Sequence, residues 1–180
     1  MIKSKIRKKI LIIRKNNKIN FKLPFLKIYK EIKKNILKKK LIGGYYPVNF
    51  ELNILNILEK LENKGLKLSL PIVKKNNEMD FYSWSFKKLL QVNKYGIPEP
   101  EKTKKVIPDV ILVPLVAFDD KLYRIGYGGG YYDRYIEKIS KKKNLLKIGI
   151  AHSCQKINRV PINKYDKKLD IIITEKYILR

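Results

Sequence analysis

Cysteine, histidine and acidic side chains are scarce in this 180-residue chain, and each shortage excludes something. A single cysteine, Cys154, rules out an intramolecular disulfide framework and fits a reducing compartment. It reads as a small half-buried side chain rather than a nucleophile. The lone histidine, His152, follows a strand-like run in Gly149-Ile-Ala-His152. With no readable Ser or Cys nucleophile and partner carboxylate, it reads as structural, and Cys/His metal spacing is absent, which argues against zinc. Long apolar runs are missing too. The longest, Val110 to Phe118, contains Pro114 and is far too short to span a bilayer. The run Ile10-Leu-Ile-Ile13 is too short for the apolar core of a signal peptide. A cytoplasmic protein with no membrane contact is therefore expected.

The acid shortage leaves 42 Lys plus Arg against 16 Asp plus Glu, a formal charge of +26. A nucleic-acid-binding module is one reading of that surface. The other is compositional drift: the excess is lysine, it accompanies abundant isoleucine and asparagine, and it runs from Lys3 to Lys176 without forming a block. Drift is favoured, and anionic small molecules gain from the charge in either case. At 44% hydrophobic, residues 1–180 suffice for one domain with a real core.

Periodicity supplies the elements. Ile2, Ile6, Ile10 and Ile13 predict a basic amphipathic helix over residues 2 to about 16, and Phe25, Ile28, Ile32 and Ile36 predict a second helix from about Pro24. Leu52 to Leu61 predicts a third, ending near Gly65, and Phe86 to Val92 a short one. Strands are expected at Leu41–Tyr46, Leu66–Val73, Met79–Trp84, Val110–Val113, Lys147–Ala151 and Leu169–Thr174. Alternation of strands with helices predicts a single-domain α/β layered fold, Rossmann-like, with a mostly parallel central sheet flanked by helices.

The densest signal is Arg124-Ile125-Gly126-Tyr127-Gly128-Gly129-Gly130-Tyr131-Tyr132-Asp133-Arg134. Four glycines in five positions remove the side chains that keep a ligand from the backbone and permit positive φ, which turns successive N–H groups toward an anion. A helical pattern from Tyr132 to Lys141 follows. A glycine loop feeding a helix N-terminus is a place for phosphate, and Asp133 at the helix start is a carboxylate where an accompanying Mg²⁺ can be anchored.

From Pro114-Leu-Val-Ala-Phe118-Asp119 through Arg134, this segment resembles the signature of the 5-formyltetrahydrofolate cyclo-ligase (methenyltetrahydrofolate synthetase) family, with Ile125 in place of the family's leucine. Lys3-Ser-Lys5-Ile-Arg7, Tyr45-Tyr46-Pro47 to Glu51, Tyr95-Gly96-Ile97-Pro98-Glu99-Pro100 and Asp166 to Glu175 occur in family order, so the resemblance covers nearly the whole chain. It implies an ATP- and Mg²⁺-dependent ligase of one-carbon metabolism. Such an enzyme closes 5-formyltetrahydrofolate to 5,10-methenyltetrahydrofolate and releases ADP and phosphate, without a covalent enzyme intermediate. A monomer with no required nucleic acid is expected. The rival readings are a basic nucleic-acid-binding module and a non-catalytic ATP- or folate-binding relative.

The same resemblance assigns residues. ATP falls to the run Lys3, Ser4, Lys5, Ile6, Arg7 and to Arg124, Ile125, Gly126, Tyr127, Gly128, Gly129, Gly130, Tyr131 and Tyr132. Lys3, Arg7 and Arg124 stabilise charge. Lys3 and Arg7, four apart, share a helix face and can neutralise a triphosphate, whereas Lys5, Arg14 and Lys15 read as surface charges. Folate falls to Tyr46, Glu51, Tyr95 and the loop from Tyr127 through Gly128, Gly129 and Gly130 to Tyr131. The metal falls to Asp133 and Asp166, with Asp170 ranked behind. Core roles are expected for Met79 and Trp84.

Overall fold

In the computed structural model, residues 2–16, 24–35 and 41–180 are described. The chain opens with helices α1 (Ile2–Asn16) and α2 (Phe25–Asn35), then strand β1 (Leu41–Gly43), helix α3 (Leu55–Asn63) and strands β2 (Lys67–Val73) and β3 (Met79–Trp84). A hairpin, β4 (Leu90–Val92) with β5 (Pro98–Pro100), and the short β6 (Lys105–Val106) lead to β7 (Val110–Pro114). A second hairpin, β8 (Ala117–Phe118) with β9 (Arg124–Ile125), delivers the chain to α4 (Tyr131–Ser140). Strands β10 (Leu146–Ile150), β11 (Ile171–Ile173) and β12 (Ile178–Leu179) complete the described elements.

The main sheet runs β12-β11-β10-β7-β1-β2-β3-β6. Its five central strands, β11 to β2, are mutually parallel, and antiparallel neighbours close both edges. β7 lies near the middle, which is why Val110-Ile-Leu-Val113 is a continuous apolar run: all four residues are fully buried, with helices on both faces of the sheet. On one face, Ile28 and Ile32 of α2 and Ile57, Leu58 and Leu61 of α3 pack on Ile42, Leu68, Val110 and Leu112. On the other, Tyr135, Ile136 and Ile139 of α4 pack on Phe81, Ile111, Val113 and Ile172. Helix α1 stands apart from both layers, burying Ile10 against Val116, Ala117 and Ile125 of the second hairpin. No described helix is long and apolar enough to cross a membrane.

The α/β class and the mostly parallel sheet are as the sequence predicts. One element is not: Phe86 to Val92 is no helix but a turn followed by β4. The Phe86 ring lies tilted against Trp84 with 4.6 Å between ring centres, and the Asn93 carboxamide oxygen accepts the Tyr95 and Ile97 N–H groups. This turn, with Gly96 at φ 74°, folds β5 back onto β4. Pro98 and Pro100 are tolerated there because this two-stranded ribbon stands outside the main sheet. The predicted Ile36 position lies outside the described residues.

Chain order fixes where a ligand can sit. From β1 the chain steps to β2 on one side, then returns to place β7 on the other. The strand order therefore reverses between β1 and β7, and clefts in such sheets open at the carboxyl ends beside that reversal. Those ends are Gly43 to Tyr46 and Pro114.

Candidate active site

A cavity of about 1090 Å³ opens there, lined by Lys3 and Arg7 of α1, Tyr45, Tyr46 and Glu51 after β1, Pro114, and every residue from Arg124 to Arg134. Asn93, Ile97, Pro98 and Glu99 of the first hairpin and Asn163 to Lys167 complete its wall. The volume sits at the upper end of single-ligand pockets, roughly 300–1,000 Å³, and suits a site that holds two ligands at once.

The glycine loop is shaped by its backbone. Gly128 has φ 111° and Gly130 φ 66°, a region L-residues seldom occupy. At Gly130 an added Cβ would also lie 3.0 Å from the Arg134 guanidinium. Among the described residues, the N–H groups from Tyr127 through the first turn of α4 form no hydrogen bond; the first donor thereafter is Arg134, to the Gly130 carbonyl at 3.1 Å. A run of unsatisfied amides at a helix N-terminus is an anion cradle. Arg7 supports it, donating from Nε to the Gly126 carbonyl at 2.8 Å.

Most predicted residues converge on this cavity, but several do other work than expected. Lys3 Nζ lies 2.5 Å from Asp166 Oδ2, so an expected phosphate cation and an expected metal carboxylate neutralise each other. Arg124 is 6% exposed and fully committed: one guanidinium nitrogen donates to the Lys167 carbonyl at 2.7 Å, the other to Asp133 Oδ1 at 2.9 Å. It orients Asp133 more than it offers a free charge. Ser4, Lys5 and Ile6 do not line the cavity; Ser4 and Lys5 are exposed, and Ile6 packs beside Ile10. Tyr95 is the clearest departure, 59% exposed at the hairpin tip with Lys94 over its ring, while its neighbours Asn93, Ile97, Pro98 and Glu99 face the cleft. Asp170 is also outside it, pinning β11 to β10 through the Lys147 N–H at 2.7 Å.

Arg14 corrects the sequence reading most strongly. Instead of a solvated charge it is 4% exposed, and it donates to the Leu115 carbonyl at 3.3 Å, the Asn49 carbonyl and the Tyr127 hydroxyl at 2.5 Å. Glu51 accepts the Val48 N–H at 2.9 Å, closing the turn after β1. Burial pushes its carboxyl up to about 7, against the lowering effect of the Val48 N–H, the Tyr127 hydroxyl and the Arg14 charge. Burial and the nearby Glu51 carboxylate in turn push the Tyr127, Tyr132 and Tyr45 hydroxyls above their ordinary range.

Arg134, Tyr45 and, around the assigned Asp166, the residues Asn163, Lys164, Tyr165 and Lys167 line the site without having been assigned to it. Arg134 joins the hairpin after β2 to the glycine loop, donating to the carbonyls of Asn77 at 2.9 Å and Gly129. Its place directly after Tyr-Tyr-Asp was the available signal. The neighbours of Asp166 carry none beyond their charges. Of the expected core residues, Met79 is buried yet also lines the cavity, whereas Trp84 is core alone, its indole N–H donating to the Lys88 carbonyl at 3.2 Å.

Comparison with known proteins decides the family: the match to the 5-formyltetrahydrofolate cyclo-ligase family runs over residues 2–175. The chain belongs to that family. Among the cyclo-ligases it resembles, the Escherichia coli K12 protein is 31% identical over 131 residues, 69% of this chain and 71% of its own. A Schizosaccharomyces pombe protein bearing the family name is 40% identical over 106 residues, where the chain spans about half its length (52%) and 51% of this chain is matched. The 5,10-methenyltetrahydrofolate synthetase of Aquifex aeolicus superposes with a TM-score of 0.78 at 33% identity, covering 100% of this chain and 93% of that one. The cyclo-ligase fold is thus shared along the whole chain, including every segment that lines the cavity.

Proposed function

We propose that this chain performs the reaction of its family, ATP-dependent cyclisation of 5-formyltetrahydrofolate to 5,10-methenyltetrahydrofolate with release of ADP and phosphate, in the cleft between α1, the glycine loop and the turn after β1. The observation that carries the assignment is the run of unsatisfied amides from Tyr127 into α4, flanked by Lys3 and Arg7. That is a triphosphate site by its chemistry. The opposite wall, with Tyr46, Glu51 and the Ile97-Pro98-Glu99 hairpin, offers apolar faces and two carboxylates to a flat heterocycle. Glu51 accepts N–H donors there when ionised.

The formyl oxygen is a poor leaving group. Its lone pair attacks the γ-phosphorus, the bond to the ADP oxygen breaks, and a phosphorylated iminium-like carbon results. The second folate nitrogen adds to that carbon, loses its proton, and the carbon–oxygen bond breaks to release phosphate as the ring closes. No side chain becomes bonded to substrate. The protein positions two ligands and neutralises migrating charge. Lys3 and Arg7 face the triphosphate, and the loop amides hold oxygens whose charge grows during transfer. Arg124 keeps Asp133 oriented, and Arg134 ties the far hairpin to the loop. Water is kept from the activated carbon by Tyr127, Tyr131 and Tyr132.

Mg²⁺ fits the donors present. Asp133 and Asp166 each engage one carboxylate oxygen with protein donors, Oδ1 and Oδ2 respectively, and the other oxygen of each forms no hydrogen bond among the described residues. Mg²⁺ takes few protein carboxylates and completes its shell with water and phosphate oxygens, so these two would serve it. Bound there, it would neutralise β- and γ-phosphate charge. A soluble, cytoplasmic monomer acting on small molecules is the accompanying reading.

The test is methenyltetrahydrofolate formation, followed by ultraviolet absorbance, with and without ATP and Mg²⁺, for the native chain and Asp133→Asn. Product should require both additions and fall on the order of 10²-fold or more in the variant. Native protein that binds ATP yet forms no product would reduce the function to binding.

A further inference from the structure

Helix α1 carries seven basic residues, and the structure sorts them: Lys5, Lys8, Lys9 and Lys15 are exposed, while Lys3, Arg7 and Arg14 are turned inward. The inward set falls at spacings of four and seven, with buried Ile10 between, so it forms one stripe along the helix. Lys3 and Arg7 end in the cavity; Arg14 ends beneath its floor.

Two walls meet on its guanidinium. One nitrogen reaches both the Tyr127 hydroxyl in the glycine loop and the Asn49 carbonyl in the turn after β1, and the charge lies 5.8 Å from the Tyr127 ring centre. The other donates to Leu115, just past β7. The turn it grips is strained: Asn49 and Phe50 are successive non-glycine residues at φ 48° and 61°. Such backbone persists only where its surroundings over-determine it, and here the clamps are Arg14 on the Asn49 carbonyl and Glu51 on the Val48 N–H.

Resting on the cyclo-ligase reading of the cleft, we propose that Arg14 is a positioning residue of the reaction, a buried fork that locks the glycine loop to the Asn49–Glu51 turn so that the two ligands meet in register. It also helps keep Glu51 ionised, by holding the Tyr127 hydroxyl that favours that carboxylate and, to a lesser degree, by its own charge. The groups facing that carboxylate are Tyr45 after β1, Tyr127 in the loop, Tyr132 at the start of α4 and Arg14 from α1. Arg14 is the cation of this set. It favours the ionised carboxylate that accepts a donor from the heterocycle, and a lysine keeps that charge while losing the fork.

The experiment compares Arg14→Gln, Arg14→Lys and, as a neighbour control, Lys15→Gln, each checked for folding by circular dichroism. Steady-state constants for both substrates are read beside the titration of Glu51, followed by carbon-13 NMR of labelled carboxyl groups and assigned with Glu51→Gln. In Arg14→Gln the Glu51 midpoint should rise. Its kcat should fall about 10- to 100-fold while KM for ATP stays within about twofold, since Lys3, Arg7 and the loop amides remain. Arg14→Lys should lose rate comparably with the midpoint unmoved, and Lys15→Gln should match the native chain. A folded Arg14→Gln with native kcat, or with an unmoved Glu51 midpoint, overturns the proposal. If that variant does not fold, Arg14→Lys decides: native kcat there overturns it, and a 10-fold loss in a folded protein supports it. If the native chain itself makes no product, the cyclo-ligase reading fails, whereas the Glu51 midpoint still reports whether Arg14 governs that carboxylate.

Discussion

Glu51 is held at a cost that its environment makes measurable. Its carboxyl titrates near 4.5 in an unfolded chain and about 7 in the folded protein, chiefly through burial. The folded state therefore holds the extra proton between those values, and stability falls as pH rises from about 4.5 through 7, remaining lower above. Glu51→Gln, which removes that ionisation, should be more stable than the native chain at pH 8 by on the order of 2 kcal/mol, and equal to it at pH 4. The same variant should bind 5-formyltetrahydrofolate more weakly. Denaturant unfolding at the two pH values, beside folate titration, checks both. At this scale motifs placed Lys3, Arg7, Glu51, Asp133 and Asp166 at one cavity, although Ser4, Lys5 and Ile6, named by the same motif as Lys3, do not line it. The sequence misled where spacing carried the meaning. Arg14 sits among so many lysines that its alignment with Lys3 and Arg7 is hidden by charge that serves no site. Tyr95 failed for the opposite reason, since its hairpin neighbours enter the cleft and its own ring does not.

Between elements, polar ties hold the glycine loop's surroundings in place. Asp80 on β3 is 2% exposed and meets Lys74 beyond β2, Lys105 on β6 and Lys138 on α4 at 2.5, 2.8 and 3.5 Å. Burial alone would raise its carboxyl; the lysines outweigh burial and bring it from 3.8 down to about 2. A depressed folded-state value means stability present above about pH 4 and lost as pH falls toward 2. Asp80→Asn should cost about 2 kcal/mol at pH 7 and flatten that acid limb, as urea unfolding across pH 2 to 6 would measure. An acid limb identical in the variant would remove Asp80 from this role. The long periodic elements were readable from apolar spacing, because α1, α3, α4 and β7 each bury one coherent set. Phe86 to Val92 was not, since a short apolar run has no period of its own and the Asn93 turn decides its pairing. Asp119, quoted only as part of a motif, proves to be the corner of the second hairpin: its carboxylate accepts N–H groups of Lys121, Tyr123 and Val160.

Across the whole molecule, the order of strands does what no single segment reveals. The reversal between β1 and β7 brings Lys3 and Arg7, the turn after β1, the base of the first hairpin, Pro114 and residues 124 to 134 and 163 to 167 to one rim. Alternation of elements predicted the layered class but not which strands are neighbours, because that depends on contacts far apart in the chain. The charge of +26 has no single focus, yet Lys3, Arg7, Arg134, Lys164 and Lys167 all line this cleft, Lys3 and Lys167 each paired there with a carboxylate. The proposed reaction requires the formyl oxygen to be activated by phosphoryl transfer in this cleft. Substrate labelled with oxygen-18 in the formyl group tests it directly, by mass analysis of the phosphate released as methenyltetrahydrofolate forms. One labelled oxygen is expected in each phosphate. Product accompanied by unlabelled phosphate would contradict that activation.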